Sequence, residues 1–259
     1  MQPTKHAGFS LIGILVSMAI VVVLMSIYMS SLDKVVTGGK GTSVQGSVWG
    51  MQDQIQLQLL GQALTIDAMS SQNGKFLTPS KLSGSNDVYD NTSAHFWSAM
   101  LLQNLAKPEQ LVSPSDRGWV EKANVDYRAQ NWDPSFSVDL SETSNVSYAN
   151  MPLYGERLKK RWSHDSGRFP ILGNRGPEDG VESAGSFTVD DDGVWRGWIL
   201  YSDNSIKWVE GTTLYSKWQR RDDVREDNVF LLESGDSSDD AILGVSLEID
   251  DDGRLFVWD

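Results

Sequence analysis

From Phe9 to Leu32 the chain runs for 24 residues without a charged side chain. As an α-helix that run spans about 36 Å, enough to cross a bilayer core with some tilt. Ser10, Gly13, Ser17 and Ser26 interrupt it, but serine hydroxyls can bond back to the helix's own carbonyls. Lys5 and His6 precede the run, and Asp33 and Lys34 follow it. Three readings are open: a cleaved secretory signal, a plain signal anchor, or a short leader removed ahead of the run. No small-x-small cleavage site follows the run, and it is long for the apolar part of a secretory signal.

Local detail favours the third reading. Lys5-His6-Ala7-Gly8-Phe9-Ser10-Leu11-Ile12 resembles the prepilin peptidase site of type IV pilin-like proteins and type II secretion pseudopilins. In that family a short basic leader ends in Gly and the mature chain begins with Phe. The resemblance implies cleavage between Gly8 and Phe9 and methylation of Phe9. It also implies filament assembly through the apolar segment, starting with Phe9, Leu11, Ile12, Gly13, Leu15 and Val16. One residue departs from the pattern: most pilins carry Glu at the fifth mature position, where this chain has Gly13. That Glu is thought to pair with the terminal amine of a neighbouring subunit, because an unpaired ammonium in hydrocarbon is costly. The family precedent for its loss is a minor subunit at the filament tip. Gly13 therefore fits a minor or tip-like role and, equally, lineage variation with the amine paired elsewhere.

Downstream of the run, Gly38, Gly39, Gly41, Gly46 and Gly50 predict a weakened or broken helix, since each glycine costs about 1 kcal/mol relative to Ala. Met51, Ile55, Leu59 and Ala63 recur at i+4 and predict an amphipathic helix docked through that stripe. Residues 71–92 are rich in Ser, Asn and Gly and read as loop. Thr92 or Ser93 can cap a second helix carrying Trp97, Leu101 and Leu105, with Pro108 at its end.

Several downstream segments extend the resemblance to a pilin-like family of planctomycetes and related bacteria. They are the stretch from Ala94 to Leu102, Leu111-Val112-Ser113-Pro114-Ser115-Asp116, Asn145 to Asn150, and Trp198 to Val209. Ser113 stands where that family often has Cys. Gly193 stands where it has a His, and Asn204 where it has the Gly of a turn. Two hairpins are expected at Asp190-Asp191-Asp192-Gly193 and Asp250-Asp251-Asp252-Gly253, each flanked by alternating apolar residues.

Composition narrows the chemistry. The formal net charge is -13. From Val181 to Asp259 there are 19 Asp/Glu against 7 Lys/Arg, a balance of -12. Such a surface repels phosphates, so no nucleic-acid partner is expected. The absence of cysteine excludes disulfides, zinc-thiolate sites and cysteine nucleophiles. The ten tryptophans are expected to anchor a sheet core.

The two acidic turns make Asp190, Asp192, Asp250 and Asp252 candidate calcium ligands, as two sites, one shared site or none. Major type II secretion pseudopilins hold calcium near their C-terminus, whereas solvated turns are commoner and the EF-hand spacing is absent. His95 and His164 are the only histidines outside the leader, and no Gly-x-Ser-x-Gly elbow surrounds a serine. No phosphate loop or His-Glu-x-x-His helix is present. Lys159-Lys160-Arg161 reads as a solvated basic turn or as a contact for an acidic neighbour, and Trp132 as core or contact residue.

The expected architecture is α+β. Residues 1–8 form a leader, 9–32 a transmembrane and assembly helix, 33–70 a hinge and amphipathic helix, and 71–259 an acidic, β-rich domain with an antiparallel sheet packed on helix. The expected function is that of a non-enzymatic filament subunit of the inner membrane. Its partners would be other pilin-like subunits and prepilin peptidase, with the C-terminal domain in the periplasm or outside the cell. The alternative is a binding or enzymatic domain for which the helix is only a tether.

Overall fold

The computed structural model of the chain describes residues 48–71, 73–116, 120–122, 136, 138, 144–183, 188–190, 192–218, 223–232, 240–250 and 253–257. The leader, the apolar run and the glycines at 38, 39, 41 and 46 lie outside them. Among the described residues no helix is long and apolar enough to cross a membrane.

Helix α1 runs from Val48 to Ser70, through a segment free of proline and rich in Gln, Leu, Met and Ala. Gly50 lies inside the helix and does not break it. Trp198 Nε1 donates to the Gly50 carbonyl at 2.8 Å. At Gly61 a Cβ would stand 2.4 Å from Asn204 Oδ1 and 2.7 Å from a Leu200 methyl. Glycine therefore lets α1 touch the sheet at its midpoint.

The docked face is not the expected one. Met51, Ile55 and Leu59 are 53%, 57% and 44% exposed, whereas Leu57, Leu60, Leu64 and Ala68 are fully buried and Asp53 and Gln56 nearly so. The helix carries apolar residues on two opposite sides. The buried side was hidden in sequence because two of its members are polar.

Residues 71–92, expected as loop, contain the short helix α2 (Pro79–Ser83) and a 3-10 turn, Val88–Asp90. Pro79 opens α2 and Gly84, at φ 76°, closes it. Helix α3 spans Ser93–Leu102, capped by Thr92, whose side chain accepts from the His95 amide at 3.2 Å. It ends before Leu105, which lies beyond the helix, and Pro108 opens a separate 3-10 turn.

A four-stranded antiparallel sheet has the order β1 (Tyr148–Asn150), β2 (Pro170–Asn174), β3 (Arg196–Tyr201), β4 (Ile206–Glu210). Helix α4 (Gly155–Lys160) connects β1 and β2. Two further hairpins follow, β5 (Thr213–Trp218) with β6 (Asp223–Asn228), and β7 (Val245–Asp250) with β8 (Gly253–Val257). The fold is α+β, and α1 packs on β3, β2 and β4.

The expected role of tryptophan holds at Trp97, Trp162 and Trp195, all fully buried, and at Trp198. Trp162 meets the Phe76 and Phe96 rings edge to face at 5.3 and 5.4 Å. Trp195 meets Phe230 at 4.7 Å and donates to the Arg175 carbonyl at 2.7 Å. Trp132 lies outside the described residues.

Candidate assembly face and the polar cluster beneath it

Helix α1 has two opposite working faces. At 100° per residue, Met51, Ile55, Leu59, Ile66 and Met69 fall within an arc of about 80° that runs for about 27 Å. All five are exposed, Ile66 by 68% and Met69 by 73%. Gln62 is the one polar residue within that arc, between Leu59 and Ile66, and an exposed, largely apolar stripe of this length marks a contact site. The sequence singled out the first three of these residues but placed them inward.

The opposite face buries a polar cluster. Asp53 Oδ2 accepts from Ser113 Oγ at 3.0 Å and from Asn174 Nδ2 at 3.5 Å. Its Oδ1 lies 2.9 Å from the Tyr148 hydroxyl, which lies 2.5 Å from Gln56 Oε1. Gln56 Nε2 donates to the Glu109 carbonyl at 3.2 Å, which fixes its Oε1 as the end facing Tyr148. Asn174 Oδ1 accepts the Trp198 amide at 2.7 Å, and the Ser113 amide donates to Ser147 Oγ at 2.8 Å. The cluster thus ties α1 to the segment before β1 and to β1, β2 and β3.

A proton count assigns the charge state of this arrangement. The Tyr148 hydroxyl has one proton and two oxygen neighbours. Given to Gln56, that proton leaves the tyrosine oxygen to accept from Asp53, so Asp53 must itself be protonated. Given to an ionised Asp53, it leaves two oxygens 2.5 Å apart with no proton between them. Burial pushes the Asp53 carboxyl up to about 6, against the hydrogen bond from Ser113 that favours the anion; the protonated acid that the count requires is therefore the form held below about that pH. Burial also raises Asp116, whose bond with Ser147 and proximity to Arg175 act in the other direction. The same desolvation raises Tyr148 well above its usual value.

Ser113 was noted in sequence as standing in a position where Cys is frequent. Here its hydroxyl is buried against Asp53. Asp53 drew no attention in sequence, and Gln56 was read only as one of the glutamines off the apolar stripe. The available signal was their position on the face of Leu57, Leu60 and Leu64.

The remaining sequence candidates lie elsewhere. Gly8, Phe9, Leu11, Ile12, Gly13, Leu15 and Val16 are outside the described residues. Asp190 and Asp192 come together around one cation: Arg196 Nη1 stands 2.8 Å from Asp190 Oδ2, and Nη2 stands 2.7 Å from Asp192 Oδ2. Those bonds hold the Asp192 carboxyl below its usual value. The turn is closed by Gly193 N–H to Asp190 O at 2.8 Å, with Gly193 at φ 79°. Its flanking pairing is the single bridge Val189↔Trp195, with Ser186 and Phe187 outside the described residues.

In the second acidic turn Asp250 pairs with Gly253, so Gly253 starts the return strand. Residues 251 and 252, and with them the candidate Asp252, are outside the described residues, and the Asp250 side chain is not described. Among the described residues no group of three His, Cys, Asp or Glu is placed to hold a metal ion.

His95 Nδ1 lies 2.8 Å from the Asp90 carbonyl. His164 bridges Gly74 O at 2.9 Å and Asp165 at 2.8 Å. His95 and His164 are therefore spent on separate local contacts. The basic run is not a solvated turn throughout. Lys159 and Lys160 pair with Glu156 on α4, but Arg161 is buried, with its guanidinium 5.1 Å from the centre of the Phe169 ring.

In comparison with known proteins, the prokaryotic N-terminal methylation motif matches residues 3–29. The N-terminal segment is therefore of the type IV pilin-like or pseudopilin kind. The match ends ahead of every residue described above. No curated protein and no solved structure matches the chain.

Proposed function

From that motif and the two-faced helix that follows it, we propose that the chain is a structural subunit of a type IV pilus or type II secretion pseudopilus. Residues 9–32 insert in the inner membrane, and the domain of residues 71–259 stands outside the cytoplasm. Prepilin peptidase cuts between Gly8 and Phe9, and neighbouring subunits pack on the apolar segment. The role is mechanical and adhesive, without catalysis. Gly13 in place of the usual Glu fits a minor or tip position, and the segment from Ala94 to Asp116 fits the planctomycete type of pilin-like protein.

The observation that carries this reading is the stripe of Met51, Ile55, Leu59, Ile66 and Met69. A helix used only as a tether needs one apolar face, for its own domain. A second apolar face along the same helix needs a partner. Packing against the apolar helices of neighbouring subunits supplies one.

Intact mass and N-terminal peptide analysis of the protein from its native membrane, beside a Gly8→Ala variant, tests the pathway. The expected mature chain begins at methylated Phe9, and the variant retains residues 1–8. An intact Met1 in both proteins overturns the reading in favour of an anchored domain.

The stripe makes a second expectation. Ile55→Ser with Leu59→Ser changes the domain's unfolding free energy by no more than about 1 kcal/mol, because each site is solvent-exposed and surface substitutions stay within roughly 0.5 kcal/mol. The same pair removes cross-linking to neighbouring subunits in the membrane. A large loss of stability with cross-linking intact would place the stripe in the domain's own packing.

A further inference from the structure

We propose that the outer edge of β4 binds an extended, acidic polypeptide segment by strand addition. β4 is the last strand of its sheet and pairs only with β3 among the described residues. The ladder determines which of its main-chain groups are spent. At one end the Tyr201 amide donates to Ser205 O, and at the other the Gly211 amide donates to Trp195 O, each at 2.8 Å. Ile199↔Lys207 and Gly197↔Val209 share the parity of those two pairs. In an antiparallel ladder bonded and non-bonded pairs alternate. Lys207 and Val209 therefore turn their N–H and C=O groups toward β3, while Ile206, Trp208 and Glu210 turn theirs outward. Among the described residues no group bonds to the outward main-chain N–H or C=O of these three.

Among the described residues no other strand covers this edge, although Lys207 and Glu210 place charges on it. It carries no proline, and its pairing with β3 shows no register shift. An unpaired edge of this kind is a template for another strand. A groove of about 410 Å³ adjoins β4, lined by Arg168 and Tyr201 from the β3 side, by Lys207 to Glu210 of β4 itself and by Thr213 to Tyr215 of β5. Gly211 and Thr212 join β4 to β5 and close one end. A row of alternating donors and acceptors at strand spacing can be met in full only by another extended backbone, which identifies the occupant as a polypeptide.

Charge identifies its composition. The chain as a whole carries -13, yet this groove is lined by Arg168 and Lys207. The Arg168 guanidinium sits 4.7 Å from the centre of the Tyr201 ring. The one acid of the groove, Glu210, lies 3.9 Å from Arg196 Nε, so its charge is partly offset. Tyr215, 71% exposed, has its hydroxyl bonded to Glu226 at 2.7 Å, which holds its ring in place as an apolar wall. Acidic side chains meeting Arg168 and Lys207, with apolar ones against the rings, match the two-residue alternation of a strand.

The test is fluorescence anisotropy of a labelled peptide of about seven residues alternating Val and Asp, long enough to span a five-residue edge, titrated with the full chain in detergent micelles. Binding is expected to weaken at least tenfold when alternate peptide amides are N-methylated, which leaves composition and charge unchanged. Equal binding by the methylated peptide overturns strand addition. Lys207→Glu is expected to weaken binding tenfold or more and to shift preference toward a Val/Lys peptide. An unchanged preference overturns the acidic specificity.

Glu210→Pro removes one outward N–H and leaves the β3 ladder intact. It should weaken the acidic peptide with no change in the tryptophan fluorescence of the free protein. Full-strength binding by a correctly folded proline variant also overturns the proposal.

Discussion

Asp53→Asn should raise the unfolding free energy of the chain at pH 8 by about 1–3 kcal/mol and remove most of its decline between pH 4 and 7. Burial holds the Asp53 carboxyl at about 6, against 3.8 when solvated. Each pH unit between those values is worth about 1.4 kcal/mol, so the ionised, buried carboxylate costs about 3 kcal/mol at most.

The direction follows from which state holds the proton. Below pH 3.8 both folded and unfolded chains keep it, and the full stability is present. Between 3.8 and about 6 the unfolded chain gives it up first, and stability falls. Above about 6 the loss is complete. Asparagine reproduces the protonated acid: its amide nitrogen can donate to Tyr148 and its oxygen can accept from Ser113. Urea unfolding followed by tryptophan fluorescence from pH 4 to 8 measures the difference. Asp116, also raised by burial, accounts for the slope that remains in the variant. Parallel pH profiles for wild type and variant would show that folded Asp53 is already ionised at pH 4, with no pKa raised by burial, and would overturn the proton count.

Arg157→Met should destabilise the domain by about 3–5 kcal/mol, because it takes a buried cation away from a buried anion. The Arg157 and Asp240 side chains are both fully buried and form an ion pair. Arg157 Nε also donates to the Asp240 carbonyl at 2.9 Å. The double variant Arg157→Met with Asp240→Leu should recover most of the loss, since an apolar pair of similar volume removes both desolvation penalties. Denaturant midpoints of the two single variants and the double give the coupling directly. Additive losses would mean that the two charges act independently, contrary to their contact.

Local chemistry was legible in the sequence. The turn between β3 and β4 was placed from Trp198 to Val209, and the structure shows why Asn204 can stand in for glycine. Its φ is 61°, the left-handed region that Asn tolerates best after Gly. Helix α3 was legible from its cap at Thr92 and its Trp97 and Leu101 stripe, and the second acidic hairpin from its alternation. The N-terminal motif needed only residues adjacent in the chain.

Long-range choices were not legible. The docked face of α1 depends on what the sheet offers, and a helix apolar on two sides leaves that choice to tertiary structure. Asp53 and Gln56 look like solvent residues until Tyr148, some 90 positions later, bonds to both. Arg157 stands two residues before the basic run Lys159-Lys160-Arg161 and looks like one more surface cation, yet its partner lies 83 residues downstream. Periodicity ranks faces by apolarity, and buried polar pairs invert that ranking.

The seating of α1 also determines how the molecule bears load. Its buried leucines, the Asp53 cluster, the Gly50 contact with Trp198 and the notch at Gly61 are spread along one helix axis lying across the sheet. A pull along that axis stresses them together, in shear, so no single contact can yield before the others. A pull perpendicular to it would open them one after another, like a zipper. The domain should therefore resist tension along α1 better than tension perpendicular to it.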